Sequence, residues 1–505
     1  MNRVMRRRLL HGRTAALSWQ KLDRLAHRAS VWQTQVPKSW TSTESEGAKV
    51  LVAEQLVPPP VLERAQDLIH NLSLDYDEDS VDGSPTFEVR WIANGEYTHA
   101  GMEAIFRETI ETHVLPLLQE SPLCPQNGRL ALCEGLVRAY DDESRRVHPA
   151  HYDADALVTA LFELDAGGYE GPGFYLQPGA HVSSRLPMSG ALKAGDLLAH
   201  SFDLQHGVEV HAGRRWSVVL WFTCSDNSCH SKERPWYESA ASAGDVDAMY
   251  NLGKQVDSER SDPRRALSLM RTAAAAGSFT AQNDVAAMLL GGRGCPNAEP
   301  LTDEAEKWLT AAASQGFYRA QFGLSRLLAS RGETAAAVTW LHRAAEQRAD
   351  PDILFRLGAA YLDGSAAGLP RDVAQAEAWL REAAQMGHPR AQYALGAAMT
   401  SGDIPRQDEG EQREQQQQST KHRHDAPDEA ELWLRRAHVQ GEMQATRELA
   451  RRYVKTWDVR QLRLLMVDML RRWTHVSSKR SRASRVAQHT ALLVLPLSVL
   501  AAIGF

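Results

Sequence analysis

Residues 129–165 read RLALCEGLVRAYDDESRRVHPAHYDADALVTALFELD, residues 167–179 read GGYEGPGFYLQPG, and residues 190–222 read GALKAGDLLAHSFDLQHGVEVHAGRRWSVVLWF. Short runs rich in β-branched and aromatic residues recur through them: Leu130–Tyr140, Ala156–Leu164, Gly173–Gln177, Asp196–Ser201 and Trp216–Thr223. Turn-forming clusters such as Asp165–Gly168 separate the runs, which is the signature of successive strands. Upstream, Val61–Asn71 carries apolar residues at helical spacing after the stop at Pro58–Pro60, and Met102–Leu118 reads as a second helix. Strands preceded by support helices predict a small barrel or sandwich over residues 50–235.

Within this region His151 and Asp153 form a His-x-Asp pair ahead of a strand, where alternate side chains point the same way, and His206 follows ahead of the last strand. Two histidines and one carboxylate on one face leave open positions on iron, the arrangement used by non-haem iron oxygenases. A His-x-Asp pair alone is weak evidence; the residues around it add to it. Arg215 lies inside the strand-like run RRWSVVLWF, where a buried guanidinium can grip a carboxylate through two bonds. Tyr140 precedes His151 on the strand leading toward the metal. His148, His181, His200 and His211 read as bystanders.

From Trp236 onward the chain turns alanine-rich and repeats itself. An aromatic residue or leucine is followed by glycine across an alanine-rich turn at Trp236/Gly244, Leu269/Gly277, Trp308/Gly316, Trp379/Gly387 and Trp433/Gly441. At Trp340 the pattern holds, but Arg348 stands where glycine is expected. Each turn leads to a helix with small residues, as in Ala281-Gln282, Ala320-Gln321 and Ala391-Gln392. This is the pattern of a helical solenoid over residues 236–455, in which tryptophan fills the groove between paired helices and glycine ends a helix in a left-handed turn. The Gln- and charge-rich stretch at about 404–425 reads as a disordered insert.

Composition sets wider bounds. A length of 505 residues suggests three or so units, and 43% hydrophobic content allows most of them a core. The net charge of −6 gives no reason to expect nucleic-acid binding. Five cysteines argue against a disulfide framework and for a reducing compartment, and Cys224 and Cys229 read as structural or spare thiols rather than half of a zinc site. Residues 1–49 open with Arg3, Arg6, Arg7, Arg8 and Arg13, which fits either an organelle transit peptide or a disordered basic arm. A basic helical linker at 456–485 leads to the apolar segment 486–505. That segment reads either as a tail anchor in a thin membrane, leaving the protein facing the cytosol, or as a cap on the last repeat of a soluble intracellular protein, which Pro496 favours.

Residues 50–224 resemble the prolyl 4-hydroxylase-like branch of the 2-oxoglutarate/iron(II) dioxygenases, most closely from Val137 to Phe222, and residues 236–455 resemble Sel1-like repeats, relatives of the tetratricopeptide repeat. The resemblance implies a multidomain protein: a double-stranded β-helix (jelly-roll) domain with support helices, then an α-helical repeat solenoid. It implies that His151, Asp153 and His206 ligate Fe(II), and that Arg215, with Tyr140, holds 2-oxoglutarate. It further implies O2 and L-ascorbate dependence, and hydroxylation of a substrate, peptidyl-proline being the family default, with specificity in loops such as Gln177–Pro187. The repeats imply a protein substrate or partner. The rival reading is a repeat-based scaffold, membrane-tethered or not, whose oxygenase domain is inactive.

Overall fold

The computed structural model describes residues 14–17, 50–69, 75–78, 85–125, 128–141, 145–164, 168–188, 192–231, 234–259, 262–364, 369–405 and 428–479. The apolar segment 486–505, most of the Gln-rich insert and all of the basic start except residues 14–17 lie outside them. The chain divides into two compact units, Met1–Arg371 and Asp372–Phe505.

The first unit opens with two facing antiparallel sheets. The larger is built from β1 (Thr14–Leu17), β2 (Val50–Ala53), β3 (Asp75–Glu78), β4 (Pro85–Ala93), β6 (Ala131–Asp141), β8 (Val158–Glu163), β12 (Leu197–Ser201) and β14 (Ala212–Thr223), with the two-residue strands β5 (Glu96–Tyr97) and β9 (Tyr169–Glu170) at its margins. Its strand order is β1-β2-β12-β8-β14-β6-β4-β3. The smaller sheet runs β11 (Leu186–Pro187), β10 (Gly173–Leu176), β13 (His206–Glu209), β7 (Val147–His151). From β7 onward the chain passes back and forth between the two sheets, which is the winding of a double-stranded β-helix.

Alternation along the strands sorts side chains onto two faces. Phe162, Val218, Leu220 and Phe222 face outward and are buried. There Phe106 of α2 (Ala100–Thr109) packs its ring 5.3 Å from Phe162 and 5.6 Å from Trp91. The predicted helix over Met102–Leu118 is present but interrupted: α2 passes through a π-helical turn, Ile110–Val114, into α3 (Leu115–Gln119), while α1 spans Pro59–Ile69. On the inner face Leu161, Leu198, Tyr140, Phe174, Leu176, Leu204 and Val208 form the core between the sheets.

Two expectations change here. Thr14–Leu17, inside the basic start, pairs with β2 as an edge strand. Cys133 of β6 is disulfide-bonded to Cys229 of α4 (Asp226–His230), because the short helix after β14 returns alongside β6, so these two are not spare thiols.

Helices then run in pairs. The first unit carries α5 (Pro235–Ser242), α6 (Val246–Ser258), α7 (Pro263–Ala275), α8 (Phe279–Leu290), α9 (Thr302–Ser314), α10 (Tyr318–Ser330), α11 (Thr334–Glu346) and α12 (Pro351–Asp363). The second carries α13 (Val373–Gln385), α14 (Pro389–Ser401), α15 (Glu429–Val439), α16 (Met443–Lys455) and α17 (Val459–Lys479). Among the described residues no helix is long and apolar enough to cross a membrane. Gly244, Gly277, Gly316, Gly387 and Gly441 all have positive φ, as helix-ending turns of this type need.

Three of the repeat tryptophans are less central than the pattern suggests, while Trp236 and Trp433 are buried. Trp308, Trp340 and Trp379 are only half-buried, whereas the leucine after each (Leu309, Leu341, Leu380) and the alanine pairs Ala312-Ala313, Ala344-Ala345 and Ala383-Ala384 are buried. Small alanines let the helix backbones approach, and that leaves the wide indole at the groove's edge. A buried glutamine relay ties neighbouring repeats. Gln282 and Gln321 donate to the carbonyls of Ala274 and Ala313 and accept from Gln315 and Gln347 at 2.8 and 2.7 Å. Gln392 repeats this in the second unit, donating to Ala384 and accepting from Gln440.

Arg348 adopts the glycine conformation with φ 51°. A side chain in the left-handed region costs about 1 kcal/mol, so Arg348→Gly is expected to stabilise the array by roughly 0.5–1 kcal/mol. A thermal melt checks this; a midpoint that falls would mean that the arginine side chain contributes more than its backbone strain costs.

Candidate metal centre

His151, Asp153 and His206 each offer a ligand atom, and these atoms lie within 4.8 Å of one another. His151 is the last residue of β7 and His206 the first of β13, and the two are direct cross-strand partners in the smaller sheet. Asp153 is not on a strand, contrary to the expectation of strand alternation: it sits in the connection that carries the chain from the smaller sheet to the larger. Gly207, next to His206, is forced by crowding, because a Cβ there would collide with the Tyr175 hydroxyl and the His148 carbonyl.

Both rings are aimed by backbone carbonyls. His151 Nδ1 lies 2.9 Å from Pro149 O, and His206 Nδ1 lies 3.2 Å from Leu204 O. Proton donation from Nδ1 to these carbonyls leaves each Nε2 as the lone-pair nitrogen, as a metal ligand requires. The Nε2 atoms stand 3.6 and 3.4 Å from the two carboxylate oxygens of Asp153. Thr159 on β8 donates its hydroxyl to Asp153 Oδ2 at 2.6 Å, fixing the carboxylate. Burial opposes charge on Asp153, but the His206, His151 and His200 rings around it outweigh that and hold it well below the usual carboxylate range. Burial pushes His206 well below its ordinary value, so its imidazole is neutral at pH 7. A divalent cation binding at His206 Nε2 and the Asp153 carboxylate therefore displaces no proton from these two groups. By donor chemistry, aim and spacing, the three residues fit a metal ion.

Two histidines that read as bystanders belong to this cluster. His148 is buried, stacks on His151 with ring centroids 4.0 Å apart, and has Nδ1 3.1 Å from the Tyr140 hydroxyl. His200 is buried on β12 with its ring 4.3 Å from that of His206, and its Nε2 has no hydrogen-bond partner. The hint in the sequence was His200's position in a predicted strand, directly across from Thr159. Of the other two, His211 is exposed and pairs with Glu209, and His181 lies in the Gln177–Pro187 loop.

Arg215 lies on the inner face of β14, opposite Tyr140 of β6. It is 1% exposed, and each of its three side-chain nitrogens already has an acceptor: Nε and Nη2 donate to Glu163 Oε1 at 3.0 and 2.6 Å, and Nη1 donates to Ser217 Oγ at 3.1 Å. Burial opposes its charge; the Glu163 carboxylate outweighs this and raises its pKa further. Arg214, on the outer face, pairs with Asp141 at the surface. So the side chain expected to hold a dicarboxylate points to the right interior but is paired with a carboxylate of the chain itself. As paired, Arg215 does not fit 2-oxoglutarate.

A double-stranded β-helix carrying a His-Asp-His cluster able to hold a metal, continued by a repeat solenoid, defines the class of architecture. The Sel1 repeat model matches residues 236–245, 246–278, 280–317, 320–348 and 351–388. No curated protein matches the chain. Among solved structures, a Sel1 repeat protein from Oxalobacter formigenes is similar at 28% identity and TM-score 0.35, over 45% of this chain and 59% of that one, so less than two thirds of its length is spanned. A 2OG-Fe(II) oxygenase family oxidoreductase from Burkholderia pseudomallei is similar at 14% identity and TM-score 0.28, over 35% of this chain and 86% of that one. A prolyl hydroxylase from Trichoplax adhaerens, solved with a hypoxia inducible factor peptide fragment, is similar at 16% identity and TM-score 0.28, over 43% and 98%.

Proposed function

We propose that the β-helix domain is a non-haem iron(II) oxygenase and that the Sel1 repeats bind the protein on which it acts or a partner of it. The observation that carries this is the ligand set His151, Asp153 and His206, with both imidazoles turned so that Nε2 faces the Asp153 carboxylate. Iron(II) held by these residues would supply the activation of O2 for oxidation of a substrate C–H bond. The chain's own part is to hold the ligands and keep water away. Thr159 orients Asp153, the carbonyls of Pro149 and Leu204 orient the histidines, and Phe174 walls the site with its ring 5.4 Å from His206. A 2-oxo acid as electron donor and ascorbate as iron reductant accompany this reading, and Tyr140 and Arg215, the latter as its pair with Glu163, are the residues that would meet the cosubstrate. A prolyl side chain is the substrate the resemblance favours.

One observation favours a second reading, a Sel1 scaffold with a catalytically silent β domain: the Arg215–Glu163 pair that occupies the cosubstrate cation. The deciding experiment supplies the full-length chain with Fe(II), ascorbate and raised concentrations of 2-oxoglutarate, and follows succinate. The expected result is succinate formation that needs both iron and 2-oxoglutarate and vanishes on chelation. Metal binding with no decarboxylation of 2-oxoglutarate or of a neutral-tailed 2-oxo acid such as 2-oxobutyrate would favour the scaffold.

A further inference from the structure

On β8, Thr159, Leu161 and Glu163 alternate onto the inner face. The first steadies the ligand Asp153, and the last reaches Arg215. Glu163 is 3% exposed, and the guanidinium it faces offsets the cost of holding its charge in the interior. Ser217 accepts from Nη1. The arginine is thus held by both side chains, and its pair with Glu163 as a whole is neutral. A second carboxylate arriving at Arg215 would meet the Glu163 carboxylate in a medium of low dielectric, where like charges repel strongly. A 2-oxo acid with an uncharged tail would meet no such charge.

We infer that Glu163 selects the cosubstrate of this site: its carboxylate stands in for the distal carboxylate of 2-oxoglutarate, so that the chain discriminates against dicarboxylate 2-oxo acids and accepts those with neutral tails. The inference rests on the iron-site reading above. Glu163 is a specificity-determining residue on the same strand as the threonine that orients Asp153.

The test uses the full-length chain loaded with Mn(II), a redox-silent substitute for iron. 2-Oxoglutarate and 2-oxobutyrate are titrated calorimetrically into wild type, Glu163→Gln and Glu163→Ala. Wild type is expected to bind 2-oxoglutarate no more tightly than 2-oxobutyrate. Both substitutions are expected to tighten 2-oxoglutarate by about tenfold or more, the size of effect produced by removing a buried like charge, and to leave 2-oxobutyrate within about twofold. Glu163→Gln keeps the shape of the side chain and carries the test if the alanine variant is too unstable. A wild-type preference for 2-oxoglutarate, or an affinity for it that stays level or falls in the variants, would overturn the inference. Failure of Mn(II) to bind wild type would overturn the iron-site reading, and this inference with it.

Discussion

Asp153→Ala is expected to abolish metal binding at the β-helix site. The carboxylate is the sole anionic ligand in the cluster and faces both Nε2 atoms, at 3.6 and 3.4 Å. Without it only two imidazoles remain, and the loss should exceed the ~10- to 100-fold that substitution of residues behind the ligands costs metal sites. His151→Ala and His206→Ala each remove one of the two nitrogens and are expected to act alike. His148→Ala and His200→Ala separate ligands from neighbours. Both rings are buried beside the ligands, so each loss is expected to destabilise the fold by roughly 2–3 kcal/mol, yet to leave the three donor atoms in place. Cobalt(II) titration followed by its visible absorption measures the affinity, and a thermal melt measures the stability. Retention of wild-type affinity in the Asp153 variant, or its loss in the His148 variant alone, would put the metal elsewhere.

Four strands of the larger sheet were legible because they are long or strongly apolar: β6, β8, β12 and β14 all coincide with predicted runs, whereas β1 to β4 of the same sheet were not among them. The strands that bear the histidine ligands were not. β7 reads VHPAH and β13 reads HGVE, too short and too polar to carry a strand signal, and they form because they pair with each other across His151 and His206. Strand propensity is largely a property of such neighbours, which a local window cannot see. The cluster of His151, Asp153 and His206 was readable from its motif, and the inward face of Arg215 from strand alternation. What neutralises Arg215 was not, since Glu163 lies 52 residues away on another strand and looks like an ordinary polar residue there. The Cys133–Cys229 bond, across 96 residues, was hidden for the same reason. An odd number of cysteines gave no pairing to infer.

The boundary expected at residue 235 does not behave as a hinge, and a second large effect follows from that. Tyr152 stands between the ligands His151 and Asp153, and its hydroxyl donates to Asp247 of α6 at 2.7 Å while its ring lies 5.6 Å from that of Tyr250. Tyr237 of α5 donates to the carbonyl of Ala154 at 2.8 Å and packs against Phe202, and Arg234 pairs with Asp155 at 2.7 Å. The first two helices of the solenoid therefore hold the residues on either side of Asp153, the one ligand that no strand supports. Asp247→Ala should loosen that segment. We expect metal affinity to fall by about tenfold, the lower end of what outer-shell partners contribute, although Asp247 touches no ligand. Tyr152→Phe removes the same hydrogen bond from the other side, so the double variant is expected to be no weaker than the single ones, as a double-mutant cycle would report. Lys254→Ala on the same helix breaks the half-exposed pair with Asp284 and should leave metal affinity unchanged. Should Asp247→Ala bind cobalt(II) within about twofold of wild type while Lys254→Ala matches it, the repeats would be neighbours of the metal site without shaping it. A fall confined to Asp247 and Tyr152 would make the first Sel1 repeat a working part of the β-helix site, for which the ligand connection depends on a helix outside its own sheets.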